Sequence, residues 1–454
     1  MCMFYISEIF GLSSYPKELK NLTIRLFILE LIVSSIYLSH AWITLYYLSI
    51  IDSYIIFGNI IAIGMVFGAF LDVPLGILTD RIGQRIAFCS ALICLFIYYF
   101  GLVFASSIIQ LLFLEIIVGI YSALISGSYI SWFLNSWENF AQKNDQNQIL
   151  IRNAMGTVNF TKMISVSSLT LLGGFLLSQF EISPNIIFLA QSIIALVGLL
   201  FGYMLMVEYK NVKIKENILD AQKKDYKENL LFRLSKGFKE KYTNVSLYFI
   251  SFALLSFTTS SFISFILPLV LYSLIQPISI SKGYSFDFTS IAILFLTVVN
   301  SVSNIAYGIS SRFSGWFTSF IVSPYRGILK IYFLNFPVVW FSIFLILLLD
   351  LEVRVRILLI ISILIMKLII SGLTSGLHWD LYYEITDQEF RSTQESYLNT
   401  LNLIVSILGF GFLGIIIEKT GLEVAVGFLT SLGLLAIVFL YLAKEPDFRK
   451  ENKK

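Results

Sequence analysis

The sequence predicts an all-α membrane protein: twelve transmembrane helices in two six-helix, pseudo-symmetric bundles. Three observations carry that expectation. The 454 residues are 57% hydrophobic and only 13% charged, with a mean hydropathy of +0.82, whereas soluble domains carry roughly 25% charged residues. Twelve apolar stretches of roughly 19 to 27 residues can be marked, each long enough for a ~30 Å hydrocarbon core. A loop pattern that follows the second stretch returns, in weaker form, after the eighth.

The spans run 26–48, 56–78, 86–106, 109–134, 156–178, 186–207, 246–272, 287–309, 331–349, 356–378, 394–417 and 422–443. Hydrocarbon offers no partner for backbone amides, so spans of this length are helices, and the ~10-residue alternation of a membrane barrel is not visible. The first span follows Lys17, Lys20 and Arg25, lacks a small-residue cleavage site and leads at once into another span. It reads as a retained helix, not a signal peptide. With a cytoplasmic N-terminus, 27 of the 32 Lys and Arg fall in inner segments and four in outer loops, with Lys367 inside a helix. That asymmetry predicts a multi-pass protein of the cytoplasmic membrane with both termini inside. The net charge of +3 then reflects topology and contact with anionic lipid, with no nucleic-acid partner implied.

The one long polar insertion divides the chain into residues 1–207, a basic linker 208–245, and residues 246–454. The linker's scattered apolar residues leave open a flexible connection or an interfacial amphipathic helix. Small residues mark close helix contacts: Gly64 and Gly68 in span 2, Gly173 and Gly174 in span 5, and Gly409, Gly411 and Gly414 in span 11. Cys2, Cys89 and Cys94 read as small hydrophobes, since three such residues make no disulfide framework.

The loop pattern places Gly76, Asp80, Arg81, Gly83 and Arg85 between spans 2 and 3. Its glycines predict a turn too tight for a Cβ, with the charges at the membrane–water boundary. The echo is Gly308, Arg312 and Gly315, in which arginine stands where the first copy has its aspartate. Internal repeats in membrane proteins are a mark of transporter folds.

Gly76-x-x-x-Asp80-Arg81-x-Gly83-x-Arg85, in a chain of six plus six spans, resembles the most diagnostic loop of the major facilitator superfamily. The lead-in Asp72-x-Pro74-x-Gly76, the run Ser126-Gly127 to Trp132, and Asp387 to Thr393 before span 11 are similar to features of one broad subset. The resemblance covers residues 20–443. It implies a secondary active transporter that moves a small solute by alternating access, with a proton or cation as coupling ion. Spans 1, 4, 7 and 10 would then line a central cavity. Asp80 would oppose the dipole at the start of span 11 near Ser392 and Thr393, as a cytoplasmic latch with Asp72, Gly76, Arg81, Gly83 and Arg85. The chain departs from the family in three places. Glu115, four residues before Gly119, stands where members often carry arginine; Gly173-Gly174 has no neighbouring proline; and Arg312 replaces an acid.

Ionisable residues at membrane depth are costly and usually face protein or water. Lys367 lies near the midplane of span 10, with Glu115 in span 4 as a candidate opposite charge. His40 has an ordinary pKa of about 6.5, suited to proton exchange, and equally to a packing role. Glu30 either lines the path or snorkels inward. Tyr37, Tyr121, Asn300 and Asn304 complete the solute- or ion-binding candidates; Tyr129, His378 and Trp379 could also line a pocket. No Walker loop and no metal-ligand cluster is present, so the expectation is a non-enzymatic monomer without cofactor or metal. Two alternatives stay open: a non-transporting membrane sensor of the same fold, and an amphiphile-handling relative.

Overall fold

Each of the twelve stretches contains helix among its described residues in the computed structural model. It describes residues 17–51, 53–126, 128–129, 132–133, 136–137, 147–180, 182–207, 242–261, 266–267, 269–270, 288–313, 339–349, 351–385 and 391–442. The expected linker 208–241 lies outside these residues, as do the side chains of Asp80, Arg81, Arg312, His378, Trp379, Ser392 and Thr393. Among the described residues, nine helices are long and apolar enough to cross a membrane, and none of the secondary structure is strand.

Span 1 is the exception to regular helix. It consists of α1 (Lys17–Val33), a 3₁₀ turn (Ser34–Ile36), α2 (Tyr37–His40) and α3 (Ile43–Ile50). The continuous helix expected over 26–48 is therefore broken twice and starts nine residues earlier. The other first-half helices are α4 (Tyr54–Ile82), α5 (Gln84–Val103), α6 (Ile108–Ser126), α7 (Asn147–Gln179) and α8 (Pro184–Leu205). The second half holds α9 (Tyr242–Ser261), α10 (Phe288–Arg312), α11 (Val339–Leu348), α12 (Val353–Ile385), α13 (Arg391–Thr420) and α14 (Leu422–Leu442). Helix α6 ends at Ser126, with helix again at the described residues 129 and 132–133 of the expected span, and α7 extends back to Asn147, nine residues before the expected start. Polar first turns carry little hydropathy, so helix and apolar stretch need not coincide.

The packing repeats across the two halves. In the first half α4 packs on α6 and α2 on α7; in the second, α10 packs on α12 and α9 on α13. Numbered by span, these are 2 on 4 and 1 on 5, then 8 on 10 and 7 on 11. The contacts between halves obey the same operation, because α7 against α10 (5 on 8) becomes α13 against α4 (11 on 2). The pseudo-two-fold relation thus stands in the contacts.

The surface is turned inside out relative to a water-soluble protein. Phe70, Ile109, Phe113 and Met204 are well over half exposed, as lipid-facing side chains are. Among the described residues, serine, threonine and four charged groups (Glu30, Asp72, Glu115 and Lys367) are buried instead. Helices approach closely where no side chain intervenes. A Cβ on Gly119 would strike the backbone of Gly64 and Gly68, which accounts for the small-residue pattern of span 2.

One expectation about the loop is corrected. The turn between α4 and α5 is made by Gly83 alone, at φ +98°, its N–H donating to the Thr79 carbonyl at 2.9 Å. Only glycine holds that φ at no steric cost. Gly76 lies inside α4, and no described residue comes within 4 Å of where its Cβ would stand.

Candidate functional site

The break in span 1 opens the site. A 3₁₀ turn within a membrane helix frees carbonyls that lipid cannot satisfy. Buried Gln191, from α8, donates its amide to the Ser35 carbonyl at 2.8 Å, the Ile36 carbonyl at 3.1 Å and Ser39 Oγ at 3.1 Å. Tyr99 donates to the Ile36 carbonyl at 3.4 Å, and Trp42 Nε1 to that of Leu38 at 3.1 Å. Helix α7 comes so close that a Cβ on Gly173 would meet the Leu38 carbonyl.

Beside this break lies a cavity of about 240 Å³ lined by Ser34, Tyr37, Tyr121, Ser126, Tyr129 and Lys162, with Val33, Ile36 and Ile125 as its apolar wall. Glu30, Ser34 and Tyr37 follow at i, i+4 and i+7, so one face of span 1 supplies all three. Tyr121, Ile125 and Tyr129 line the cavity from span 4. Glu30 sits behind the lining: its side chain is 2% exposed, while that of Lys162 is 30% exposed. The Lys162 Nζ stands 3.7 Å from Glu30 Oε1, and Tyr129 donates to the same oxygen at 3.0 Å. Glu30 Oε2 is buried without a hydrogen-bond partner among the described residues, as is the Ser34 hydroxyl.

Two expectations are corrected here. Glu30 lies thirteen residues along the helix from Lys17, ~20 Å at the usual rise, and is enclosed by partners, so it does not snorkel. Lys162, grouped from sequence with the charges of an inner segment, is a cavity residue. It sits fifteen residues into α7, because that helix begins earlier than its apolar part. The available signal was a lysine flanked by the apolar residues of span 5.

The other candidates are distributed around this centre. Asn300 is buried on α10, Asn304 is half-buried, and with Tyr307 they share a face at i, i+4 and i+7. Tyr37 and Tyr307 both lie within electrostatic range of Lys162. His40 packs edge-on against the Tyr37 ring, centroids 5.2 Å apart. Asp72 accepts from Ser126 Oγ at 2.9 Å, a contact made at the cavity wall. Glu115 is held elsewhere, in a polar cluster within the first half. Tyr47 donates to its Oε1 at 2.7 Å, and the Tyr98 hydroxyl lies 3.0 Å from that of Tyr47. Lys367 is 1% exposed with its ammonium 4.6 Å from the centre of the Trp340 ring, on α11. Arg85 stacks its guanidinium over Tyr203 of α8 at 4.4 Å.

The two halves meet tightly at the end opposite the chain termini. A Cβ on Gly58 of α4 would stand 2.7 Å from the Phe410 carbonyl of α13, and one on Gly414 would stand 2.6 Å from the Tyr54 carbonyl. Glu418 of α13 reaches across to the start of α4, accepting from Ser53 Oγ at 2.8 Å and the Ile55 N–H at 3.0 Å.

This packing of helices is shared with solved membrane transporters. The crystal structure of a mutant of the nucleoside transporter NupG superposes with a TM-score of 0.66 at 14% identity, over 93% of this chain and 100% of that one. A D-xylose–proton symporter gives 0.62 at 14% identity, over 94% and 98%. The chain has the major facilitator fold. No protein-family model and no curated protein matches the sequence, so the major facilitator fold is carried here by a sequence far from its solved examples.

Proposed function

We propose that this chain is a secondary active transporter. It carries a small solute, coupled to a proton or cation, across the cell membrane by alternating access. The carrying observation is the contrast along α4: a Cβ on Gly58 would meet the α13 backbone, while no described residue stands within 4 Å of a Cβ on Gly76. With both termini in the cytoplasm, as the charge asymmetry expects, the Glu30–Lys162 cavity would communicate with the inside in this conformation. Residues 1–207 and 246–454 would be the two rocking units, joined by 208–245, in a monomer surrounded by lipid. Solved proteins of this fold that carry a nucleoside or a sugar with a proton support transport over enzymatic or purely sensory roles.

Within this proposal Tyr37, Tyr121, Asn300 and Asn304 face the solute path with Lys162, and Glu30 stands behind that lysine. His40 acts one contact removed, through Tyr37, while Glu115 and Lys367 hold charge inside their own halves. Asp80 is the latch that closes the inner end against the start of α13, assisted by Asp72, Arg81 and Arg85.

The test is solute counterflow. A ligand is first found by thermal shift, since binding to the native state raises stability by mass action. Liposomes containing the purified protein are then preloaded with it. Transient accumulation of labelled solute is the expected result; a ligand that stabilises the protein yet shows no counterflow would sink the transport reading.

A further inference from the structure

We propose that the Glu30–Lys162 pair is the binding site of a small organic anion, a carboxylate, which takes Lys162 from Glu30 and leaves Glu30 to accept a proton. This deepens the transport reading and rests on it for the cavity's accessibility.

The geometry gives the anion its place. Lys162 faces the cavity and Glu30 lies behind it, so the charge offered to an incoming solute is positive. At 3.7 Å the pair is a Coulombic contact longer than a hydrogen bond. Among the described residues, Glu30 is the Lys162 ammonium's ion-pair partner, which leaves its three donors for a better-placed acceptor. The hydroxyls of Ser34 and Tyr37 and the rings of Tyr121 and Tyr129 line the same space, suiting a short carboxylate with a hydroxyl or an aromatic body. A cationic solute would meet Lys162 first and be repelled.

The consequence for Glu30 follows from charge balance. Once a carboxylate holds Lys162, Glu30 keeps only the hydrogen bond from Tyr129, and its Oε2 has no partner. A buried carboxylate without its counter-charge costs several kcal/mol, and in such sites the group neutralises instead. A proton from solvent hydronium joins Glu30 Oε2: one O–H bond forms on the carboxylate, one breaks in the hydronium, and water is left. The loaded site carries the same net charge as the empty one: one anion and one proton in. The groups facing Glu30 and its lysine, among the described residues, are Tyr129, Tyr121, Tyr37 and Tyr307; Asp72, the other buried acid at the cavity wall, is held by Ser126 instead. Gln191, the buried polar side chain of α8 nearby, does not titrate.

The test uses purified full-length protein in detergent and a panel of short aliphatic, hydroxy and aromatic carboxylates, with lactate and benzoate as leads. Lactamide, benzamide and benzylamine serve as neutral and cationic controls. The carboxylates should raise the melting temperature and the controls should not, with about one proton taken up per anion in weakly buffered solution. Glu30→Gln removes the competitor for Lys162, so it should tighten carboxylate binding about tenfold, ~1.4 kcal/mol, and abolish proton uptake. Lys162→Gln should lose binding. Because that variant strands Glu30 and can fail to fold, wild-type proton uptake and the Glu30→Gln gain decide independently of it. Absence of carboxylate binding at millimolar concentration, binding without proton uptake, or weakening by Glu30→Gln would each overturn the proposal. Counterflow of a neutral solute that ignores Lys162→Gln would leave transport standing and remove this site. Carboxylate binding with the expected pattern but no counterflow would do the reverse.

Discussion

Gly58 and Gly76 lie on the same face of α4, five turns and ~27 Å apart; a Cβ on Gly58 would meet the α13 backbone, while no described residue stands within 4 Å of a Cβ on Gly76. Gly58 stands where α4 and α13 are pressed closely together among the described residues. Replacing Gly58 with alanine would set a Cβ 2.7 Å from a backbone oxygen, a clash worth about 1–3 kcal/mol. The expected result is a shift toward the conformation closed at the Gly76 end. Labelling of a Gly76→Cys variant by a maleimide should slow markedly when Gly58→Ala is added. Unchanged labelling would mean that the two ends are not coupled.

Glu418 belongs to the same seal. Its carboxylate caps the first turn of α4 from the opposite half of the molecule through Ser53 and Ile55. Glu418→Gln keeps an acceptor and Glu418→Ala removes it. Closure should therefore weaken in the order wild type, Gln, Ala, read by a reporter at Ile56→Cys, an exposed position of the same turn, reacting with an impermeant thiol reagent from outside. Identical reactivity in all three would deny Glu418 a sealing role.

The Tyr47 hydroxyl provides the 2.7 Å hydrogen bond to buried Glu115. Tyr47→Phe strands that oxygen and should cost about 1–3 kcal/mol, seen as a lower melting temperature in detergent. Glu115→Gln in the same background should restore part of the loss, because a neutral amide is cheaper to bury than a carboxylate. A double-mutant cycle with no coupling between the two positions would contradict this account.

Gln191 holds the broken first span by three contacts. Gln191→Leu fills similar volume but orphans the Ser35 carbonyl, at a cost of about 1–3 kcal/mol. Solute affinity should fall as well, since Ser34 and Tyr37 lose their support. Gln191→Leu protein that binds ligand as tightly as wild type would show that the break sustains itself.

Asp80 closes α4 ahead of the Gly83 turn. As a dipole-opposing latch it should contribute about 0.3–1 kcal/mol to inner closure. Asp80→Asn is expected to slow uptake into proteoliposomes while leaving membrane insertion and yield intact. Equal uptake rates in mutant and wild type would argue against the latch.

Much of this molecule is legible in order along the chain. Hydropathy finds lipid-facing segments because preference for hydrocarbon is a property of each segment alone, and that suffices for twelve spans, the repeat and the Gly83 turn. The candidates Glu30, Tyr37 and Tyr121 are also within reach, since charge and aromatic residues at membrane depth are unusual wherever they occur. Pairing is a different matter. Hydropathy assigns Lys162 to an inner segment, whereas α7 begins at Asn147 and carries it into the cavity; Glu115 meets Tyr47 through the rotation of α6 against α3. The break at Ser34–Ile36 is unmarked by proline or glycine; Gln191, some 155 residues away, supplies the hydrogen bonds that sustain it. The order of residues dictates which segments enter the membrane and where they turn. Which buried charges face one another, and at which end the two halves close, are properties of the packed molecule, because both depend on how helices distant in sequence are rotated and pressed together.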